Sequence, residues 1–496
     1  MNYNKVSERL LSPIIEWAKA SKKTAESSKA MIMSVDGSRE IDQTPLKFKV
    51  PDEFSGKDYI TMLLHIDAEI EHGLMLQYLY AAYSIGGNQI PEAHREKVYN
   101  WQNIILGIAK EEMGHFISVQ NVLKVIGAPL NFGRESYPWD TPFYPFPFTL
   151  ERFTLSSLSK YIYAEAPIEW LESDDPIAAK VKKVVDAEVA DPHTVGALFK
   201  ILLQLINDPD VISDETFQAA TYPYQGSFNE WGRSYVGGER GSAGNNVFSK
   251  SPDVLVAQLL SRNDAYNALA EISEQGEGQD TIATIPSHFE RFLFVYNEYQ
   301  ALLEDLGDDF EPSRNVATNP YAGSKTSNSK KATSIDPSIE IDDNRITNPE
   351  AILWANLFDI RYRLLLNFLN HSFLLDNGSV NSGGFSPRGM IINSTFGEMY
   401  NLRSISAILV QTPLHPPLPG SLNPKMAGPT FTMPYSIDLP FGEPNRWRLH
   451  FDLLDASGNI IESLQKIKTQ PNIQYLNGLK EADKKLMQTC LKIIES

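Results

Sequence analysis

Residues 105 to 126 carry an apolar stripe at helical spacing that also contains two ionisable side chains. Glu112 and His115 continue the three- and four-residue steps of the stripe, so both are expected to face the core. A buried carboxylate beside a buried imidazole is costly unless something compensates it, and a metal cation does so most economically. A satisfied Glu–His pair is the alternative. Glu111 points about 100 degrees away on the same helix and is expected in solvent. The stripe itself consists of Ile105, Ile108, Val119, Val122 and Ile126.

Three further helical stretches carry polar residues in phase with their apolar positions. In the first, Asp67, Glu71 and Tyr78 share one face. Glu165 continues the stripe of the helix that begins near residue 155, and His288 lies in the stripe of the helix that begins near residue 286. Polar residues placed in this way on several helices favour one shared site, with unrelated satisfied polar residues as the alternative.

One carboxylate from a first helix, Glu-x-x-His from a second and further Glu or His from later helices is the ligand pattern of ferritin-like carboxylate metal sites. Iron or manganese suits this mixture of oxygen and imidazole ligands, and zinc is less favoured without thiolate. His65 and His72 lie off the main stripe and are expected to pack beside the site rather than bind metal. His371 and His450 have no acidic partner at ligand spacing.

Composition excludes several classes of protein. A net charge of −18 and a pI near 5.0 disfavour a surface for nucleic acid or anionic membrane, because both need clustered basic residues. The single cysteine, Cys490, excludes an internal disulfide and a cysteine-based metal site, and fits a reducing cytoplasm. No signal peptide and no membrane-spanning apolar run are visible, so we expect a cytoplasmic protein.

The chain is expected to be all-α, with a ferritin-like four-helix-bundle core, long insertions and a smaller helical, loop-rich C-terminal domain. The aromatic stretches 137–148 and 222–235 are expected to wall a substrate pocket, and the Gly-rich segment 222–248 to be a lid or a loop. The predicted parts are an N-terminal arm (1–50), a metal-binding bundle (51–310), a Ser- and Lys-rich linker (311–345) and the C-terminal domain (346–496). Helices are predicted over 58–85, 94–127, 155–167, 192–206, 252–278, 286–306, 349–375 and 395–411, followed by a final helical hairpin.

Several segments together resemble one family. The blocks AEIEHGLMLQYLYAAYSI, IAKEEMGHFISVQNVLKVIGAP, EQGEG, SHFERF and AGPTF are similar to the ferritin-like family typified by iminophenyl-pyruvate dimer synthases, which act in violacein and indolocarbazole biosynthesis. The resemblance spans most of residues 55–310 and continues weakly into the C-terminal part. It implies iron as cofactor, a small substrate derived from an amino acid, and an upstream oxidase that delivers an unstable imine.

The resemblance also implies a ligand set. Two positions depart from the family's pattern: Ala197 stands where a carboxylate is expected, and Ile285 stands where many relatives complete a second Glu-x-x-His with His288. A mononuclear or asymmetric iron site, helped by Glu165 or Glu277, is therefore as compatible with the sequence as a di-iron site. The residues that fall on metal-ligand positions are Glu71, Glu112, His115, Glu165 and His288.

The expected function is iron-dependent oxidation or oxidative coupling of an amino-acid-derived imine or enamine in natural-product biosynthesis. One or two iron ions per chain are expected, with manganese as the other metal considered. Two alternatives remain: a di-iron oxygenase or desaturase acting on another small substrate, and a non-catalytic, degenerate ferritin-like scaffold. The sequence leaves both a monomer and a homo-oligomer open. The residues expected to act in catalysis are Glu71, Glu112, His115 and His288.

Overall fold

The computed structural model describes residues 48–137, 146–188, 195–232, 254–277, 286–323, 344–378, 386–416, 424–467 and 470–495. Within these ranges the chain forms thirteen α-helices, two short 3-10 helices and no β-strand beyond isolated bridges. The prediction of an all-α fold is therefore confirmed. No helix in the described ranges is long and apolar enough to cross a membrane. Residues 233–248 of the Gly-rich segment predicted as a lid or a loop lie outside the described residues.

The helices are numbered here in chain order. They are α1 (Gly56–Ser84), α2 (Glu92–Val125), α3 (Leu155–Glu165), α4 (Ile168–Leu171), α5 (Pro176–Asp186), α6 (Gly196–Asn207), α7 (Phe228–Trp231), α8 (Arg262–Glu277), α9 (His288–Leu306), α10 (Pro349–Ser372), α11 (Pro387–Leu409), α12 (Glu443–Gln465) and α13 (Ile473–Ile494). The 3-10 helices span Asp214–Thr216 and Ala219–Tyr224.

Helices α1 and α2 form the predicted long hairpin. Ser55 caps α1, because its hydroxyl accepts the backbone N–H of Asp58 at 3.1 Å. Helix α2 ends just before Gly127, whose φ of +64° is strained for residues with a side chain. Helices α3, α6, α8 and α9 pack around this pair, with α9 against α3 and α6 against α8. The polar residues that the sequence predicts to face the core lie in the interior between these helices.

The prediction of one helix over 252–278 is wrong in its first part, because residues 254–260 are not helical and α8 begins only at Arg262. Side chains of α2 form hydrogen bonds with backbone carbonyls of this segment. Ser118 donates to the carbonyl of Leu255 at 2.7 Å, and Asn121 donates to the carbonyl of Ala257 at 2.8 Å. Such bonds offer the backbone an alternative to the helix. Gly114 on α2 allows this segment to pass close to the helix, since a Cβ at residue 114 would lie only 3.0 Å from the amide nitrogen of Leu255.

The C-terminal helices enclose a buried charge cluster. Arg361 on α10 is fully buried and donates to Glu398 on α11 at 2.9 Å and to both oxygens of Asp483 on α13. Ser457 on α12 accepts a further bond from the guanidinium at 2.9 Å. One side chain therefore joins all four C-terminal helices.

The AGPTF block approaches α1 closely. Gly428 has a φ of +85°, and a Cβ there would collide with the hydroxyl of Tyr80 on α1 and with Val316. The Tyr80 hydroxyl donates to the backbone carbonyl of Ala317. A glycine is therefore required at this contact, both by its conformation and by the lack of space.

Candidate metal centre

The structure brings together all five residues predicted as metal ligands. They come from four helices, α1, α2, α3 and α9, and lie in the middle of the bundle. Each is buried, with at most 5% of its surface exposed. The five residues are Glu71, Glu112, His115, Glu165 and His288.

They form two groups of three that share Glu112. In the first group, Nδ1 of His115 lies 2.9 Å from one oxygen of Glu112 and 3.3 Å from an oxygen of Glu71. In the second group, Nδ1 of His288 lies 2.9 Å from the other oxygen of Glu112 and 3.8 Å from an oxygen of Glu165. Within each group the ligand atoms lie within 4.8 Å of one another, so each group could hold a metal ion.

Two of these atoms lack ordinary hydrogen bonds. Oε1 of Glu112 and Nδ1 of His288 are buried and have no hydrogen-bond partner of good geometry among the described residues, although they lie 2.9 Å apart. Buried polar groups left in this way are rare, and an ion is one common explanation. Carboxylate oxygens with imidazole nitrogens form a donor set that suits iron or manganese. The residues present therefore fit a metal ion.

The other ring nitrogen of each histidine is held by a different acceptor. Nε2 of His115 lies 2.7 Å from the amide oxygen of Gln275 on α8. Nε2 of His288 lies 3.0 Å from a carboxylate oxygen of Glu111, which also pairs with Arg291. Since the outer nitrogen of each ring is occupied by an acceptor, both rings turn Nδ1 towards Glu112.

The prediction that Glu111 is a solvated surface residue is wrong. It is fully buried, because helix α9 covers this face of α2 as well and places Arg291 and His288 against it. Tyr78, by contrast, lies where the stripe of α1 puts it, beside the ligands. Its hydroxyl donates to Oε1 of Glu165 at 2.5 Å.

Protonation within the centre follows from burial and close charges. Burial raises the pKa of Glu71 well above its ordinary value, and the neighbouring Glu112 raises it further. Burial would also raise the pKa of Glu112, but the imidazoles of His288 and His115 outweigh burial and hold it well below. Burial would lower the pKa of His115, but Glu71 and Glu112 raise it to about 10. Without a metal, protons on the imidazoles supply the positive charge that the carboxylates require.

A small cavity adjoins the candidate ligands. Its apolar lining includes Leu74, Val195, Phe199 and Ile272, and the space open to the centre of a water molecule is about 20 Å³. This space holds a molecule of the size of water, since one water needs roughly 10–15 Å³ on this measure. The aromatic stretches expected as walls do not line it in their described parts. Tyr137, for example, donates to the carbonyls of Pro320 and Thr430 instead.

The remaining polar residues singled out on α1 differ in where they lie. Nε2 of His65 lies 2.8 Å from the carbonyl of Pro129, and that of His72 lies 2.5 Å from the Tyr362 hydroxyl. Asp67 is buried near the candidate ligands with no hydrogen-bond partner among the described residues; burial raises its pKa to about 8, against the charge of His115, which lowers it.

Three positions discussed from the sequence lie at the edges of the described ranges. Ile285 lies outside the described residues, as do the side chains of Glu277, the last residue of α8, and Ala197, the second residue of α6. The two departures from the family's pattern, at Ala197 and Ile285, stay predictions.

His371 has an acidic partner that its sequence neighbours do not reveal. Nε2 of His371 lies 2.9 Å from Oε1 of Glu443, and Nδ1 lies 2.9 Å from Nε2 of His450. Glu443 begins α12, far along the chain from His371 at the end of α10. Helix packing brings the two together, so spacing within one helix could not find the pair.

Comparison with known proteins gives the class. The ferritin-like family matches residues 64–297, a range that contains all five candidate ligands, so this part of the chain is similar to that family. A crystal structure of a ferritin-like protein from Caulobacter vibrioides is similar, with 17% identity and a TM-score of 0.39; the match covers 70% of this chain and 96% of that one.

Two curated relatives are biosynthetic enzymes. The 2-imino-3-(indol-3-yl)propanoate dimerase of Chromobacterium violaceum is 23% identical over 410 residues, which cover 75% of this chain and 35% of the relative. Dichlorochromopyrrolate synthase of Lentzea aerocolonigenes is 31% identical over 167 residues, which cover 29% of this chain and 15% of the relative. The match thus spans about a third or less of each relative's length.

Proposed function

We propose that the protein is a non-haem iron enzyme that oxidises or oxidatively couples an amino-acid-derived imine or enamine. The observation that carries the proposal is the pair of buried candidate ligand groups that share Glu112, in which Oε1 of Glu112 and Nδ1 of His288 lie 2.9 Å apart and have no hydrogen-bond partner of good geometry among the described residues. The relatives' names, an imine dimerase and a synthase, support the substrate class. In this proposal the metal ligands are Glu71, Glu112, His115, Glu165 and His288.

Iron bound there would supply exchange of single electrons and a binding place for dioxygen. The chain's own residues would orient and shield it. Gln275 and Glu111 hold the two imidazole rings in place, and the Tyr78 hydroxyl holds Glu165. The apolar lining of the cavity, including Leu74 and Phe199, would exclude bulk water from the ligands.

Oxidative coupling of two imine or enamine molecules breaks one bond to hydrogen in each molecule, forms one carbon–carbon bond and releases two protons and two electrons. Dioxygen is the oxidant we propose, and it would take up both electrons and both protons to become hydrogen peroxide. The cavity of about 20 Å³ is of a size for a small molecule such as dioxygen, but it is too small for an aromatic amino-acid derivative. The organic substrate would therefore need the walls near Val195 and Phe199 to move apart.

A non-catalytic scaffold is the second candidate, and one observation favours it. The five buried residues already form ion pairs with one another, so the bundle could be a satisfied structural network without metal. Because burial of unpaired charge is costly, such a network would be needed for folding alone.

Elemental analysis of the full chain, purified after iron-supplemented expression, separates the two candidates. We expect about one or two iron ions per chain, and loss of iron in Glu112→Ala with the helical circular dichroism spectrum retained. Glu304→Gln is the matched control, because Glu304 is an exposed carboxylate on α9, the helix of His288. Folded wild-type protein that takes up no iron, manganese or cobalt would instead support the scaffold.

The reaction is tested on the iron-loaded chain with an imine generated in place from an aromatic amino acid by an added amino-acid oxidase. Coupled product that depends on iron and dioxygen, and disappears with Glu112→Ala, would support the proposal. Iron binding without consumption of any such imine would contradict the proposed substrate class and leave the metal site standing.

A further inference from the structure

We infer that the two metal positions are unequal, and that Glu111 and Gln275 make them so: the position at His288 binds metal more tightly than the position at His115. This inference rests on the proposed function, since it requires that both groups of ligands hold metal. It concerns the residues behind the ligands rather than the ligands themselves.

The two positions are closely matched in their inner ligands. Each has one imidazole, which presents Nδ1, and one carboxylate of its own, Glu71 at one position and Glu165 at the other. Glu112 lies 2.9 Å from both imidazoles, one through each oxygen. The number and type of inner ligands therefore do not distinguish the positions.

The acceptors behind the imidazoles do distinguish them. His115 is backed by the neutral amide of Gln275 at 2.7 Å, whereas His288 is backed by the carboxylate of Glu111 at 3.0 Å. The guanidinium of Arg291 contacts the same oxygen of Glu111 and gives this carboxylate a buried cationic partner. Both Glu111 and Arg291 are buried, so no bulk water weakens these contacts.

A charged acceptor changes the imidazole more than a neutral one does. Hydrogen bonds to a carboxylate are stronger than those to an amide, and they make the opposite ring nitrogen a better electron donor. The ring of His288 is therefore the stronger ligand of the two. Loss of such an outer partner lowers metal affinity by roughly 10- to 100-fold in known metal sites.

The test isolates each position in turn. Glu71→Gln leaves a complete set of ligands only at His288, and Glu165→Gln leaves one only at His115. Metal-free full-length protein in each background is titrated with Co(II) without oxygen, by calorimetry and by the visible absorption of the bound ion. We expect Glu71→Gln to bind Co(II) more tightly than Glu165→Gln.

The backing residues are then changed in both backgrounds. Glu111→Gln is expected to lower Co(II) affinity roughly 10-fold or more with Glu71→Gln and to leave it unchanged with Glu165→Gln. Gln275→Glu is expected to raise affinity in the Glu165→Gln background. Because Glu111→Gln removes the partner of Arg291, it could fail to fold, and Gln275→Glu then provides the second test. Glu304→Gln is the control in both the Glu71→Gln and the Glu165→Gln backgrounds.

Equal affinities at the two positions, or a Glu111→Gln effect of the same size in both backgrounds, would overturn the inference while leaving the metal site intact. A Gln275→Glu variant that binds no more tightly than its background would also count against it. Absence of Co(II) binding in the wild-type chain is a different outcome, because it refutes the proposed function itself.

Discussion

A Cβ atom on Gly276 would lie 3.1 Å from Oε2 of Glu165. Gly276 belongs to α8, next to Gln275, which contacts His115. Because Gly276 has no side chain, there is space for the carboxylate of Glu165, whose Oε2 lies 3.8 Å from Nδ1 of His288. The described side chains of helix α8 supply no member of the two groups, yet two consecutive residues of this helix contact or make room for members of both.

Gly276→Ala is therefore expected to displace the carboxylate of Glu165 by a few tenths of an ångström and to weaken metal binding. The loss should be confined to the His288 position and is measured as the metal-to-protein ratio at limiting Co(II). Gly458→Ala on α12 is the control, because a Cβ there meets nothing within 4 Å. An alanine at 276 that leaves the metal ratio unchanged would show that this contact does not matter.

The shared carboxylate predicts different metal counts for different substitutions. Glu112→Gln should remove both metal ions, whereas Glu71→Gln and Glu165→Gln should each leave one, since each contributes to a single group. Metal content after gel filtration, with circular dichroism to verify folding, measures this. If Glu71→Gln and Glu165→Gln each lost all metal, the centre would be a single mononuclear site.

The cluster around Arg361 is expected to carry much of the stability of the C-terminal helices. Arg361→Met would leave Glu398 and Asp483 buried without their cation. Breaking a buried ion pair in this way costs about 3–5 kcal/mol. Urea unfolding followed by circular dichroism measures the free energy of unfolding. A loss comparable to that of an exposed pair, such as Lys484→Met beside Glu481, would contradict the prediction.

The pH dependence of stability can be tested at Glu443. Burial alone would raise its pKa, but His371, Arg446 and Trp447 lower the pKa from 4.5 to about 2. Since the folded pKa lies below the unfolded one, the ionised carboxylate stabilises the fold above pH 4.5 and loses this effect as the pH falls towards 2. The gap in unfolding free energy between wild type and Glu443→Gln should therefore be full at pH 7 and shrink below pH 4.5. A difference in unfolding free energy that does not change with pH would refute the stabilising role of the ionised Glu443 carboxylate.

Gly428→Ala should destabilise the protein by about 1–3 kcal/mol, because a side chain at φ +85° is strained and would press on Tyr80 and Val316. Thermal or urea unfolding measures the loss. Gly478→Ala on α13 is the control, since it has open space around it and no positive φ. Equal stability of the two variants would mean that the AGPTF segment shifts freely.

Periodicity predicts the five candidate ligands because each lies in the apolar stripe of its own helix. Glu71, Glu112 and His115 on the first two helices, with Glu165 and His288 later, all break an otherwise apolar face, and the structure places them together. Such a signal is local, so it survives without knowledge of how the helices pack. The roles of these residues as metal ligands stay predictions.

The residues behind the ligands could not be found in the same way. The spacing predicts Glu111 in solvent because it lies off the stripe, but α2 is buried nearly all round in this region. The run of consecutive apolar residues from Ile104 to Leu106 is a signal that α2 is buried on more than one face, because a helix with one solvent-exposed face usually carries polar residues there. Gln275 gave no signal, because its contact with His115 depends on how α8 crosses α2.

Glu112 serves both groups of ligands, whereas Glu71 and Glu165 serve one each. For the proposed metal centre, this arrangement limits how a descendant of this chain could lose the metal. A change on α1 or α3 would remove one proposed position and leave the other three-residue group complete. A change at Glu112 would remove both positions at once, so on α2 the proposed centre could not be lost in two separate steps.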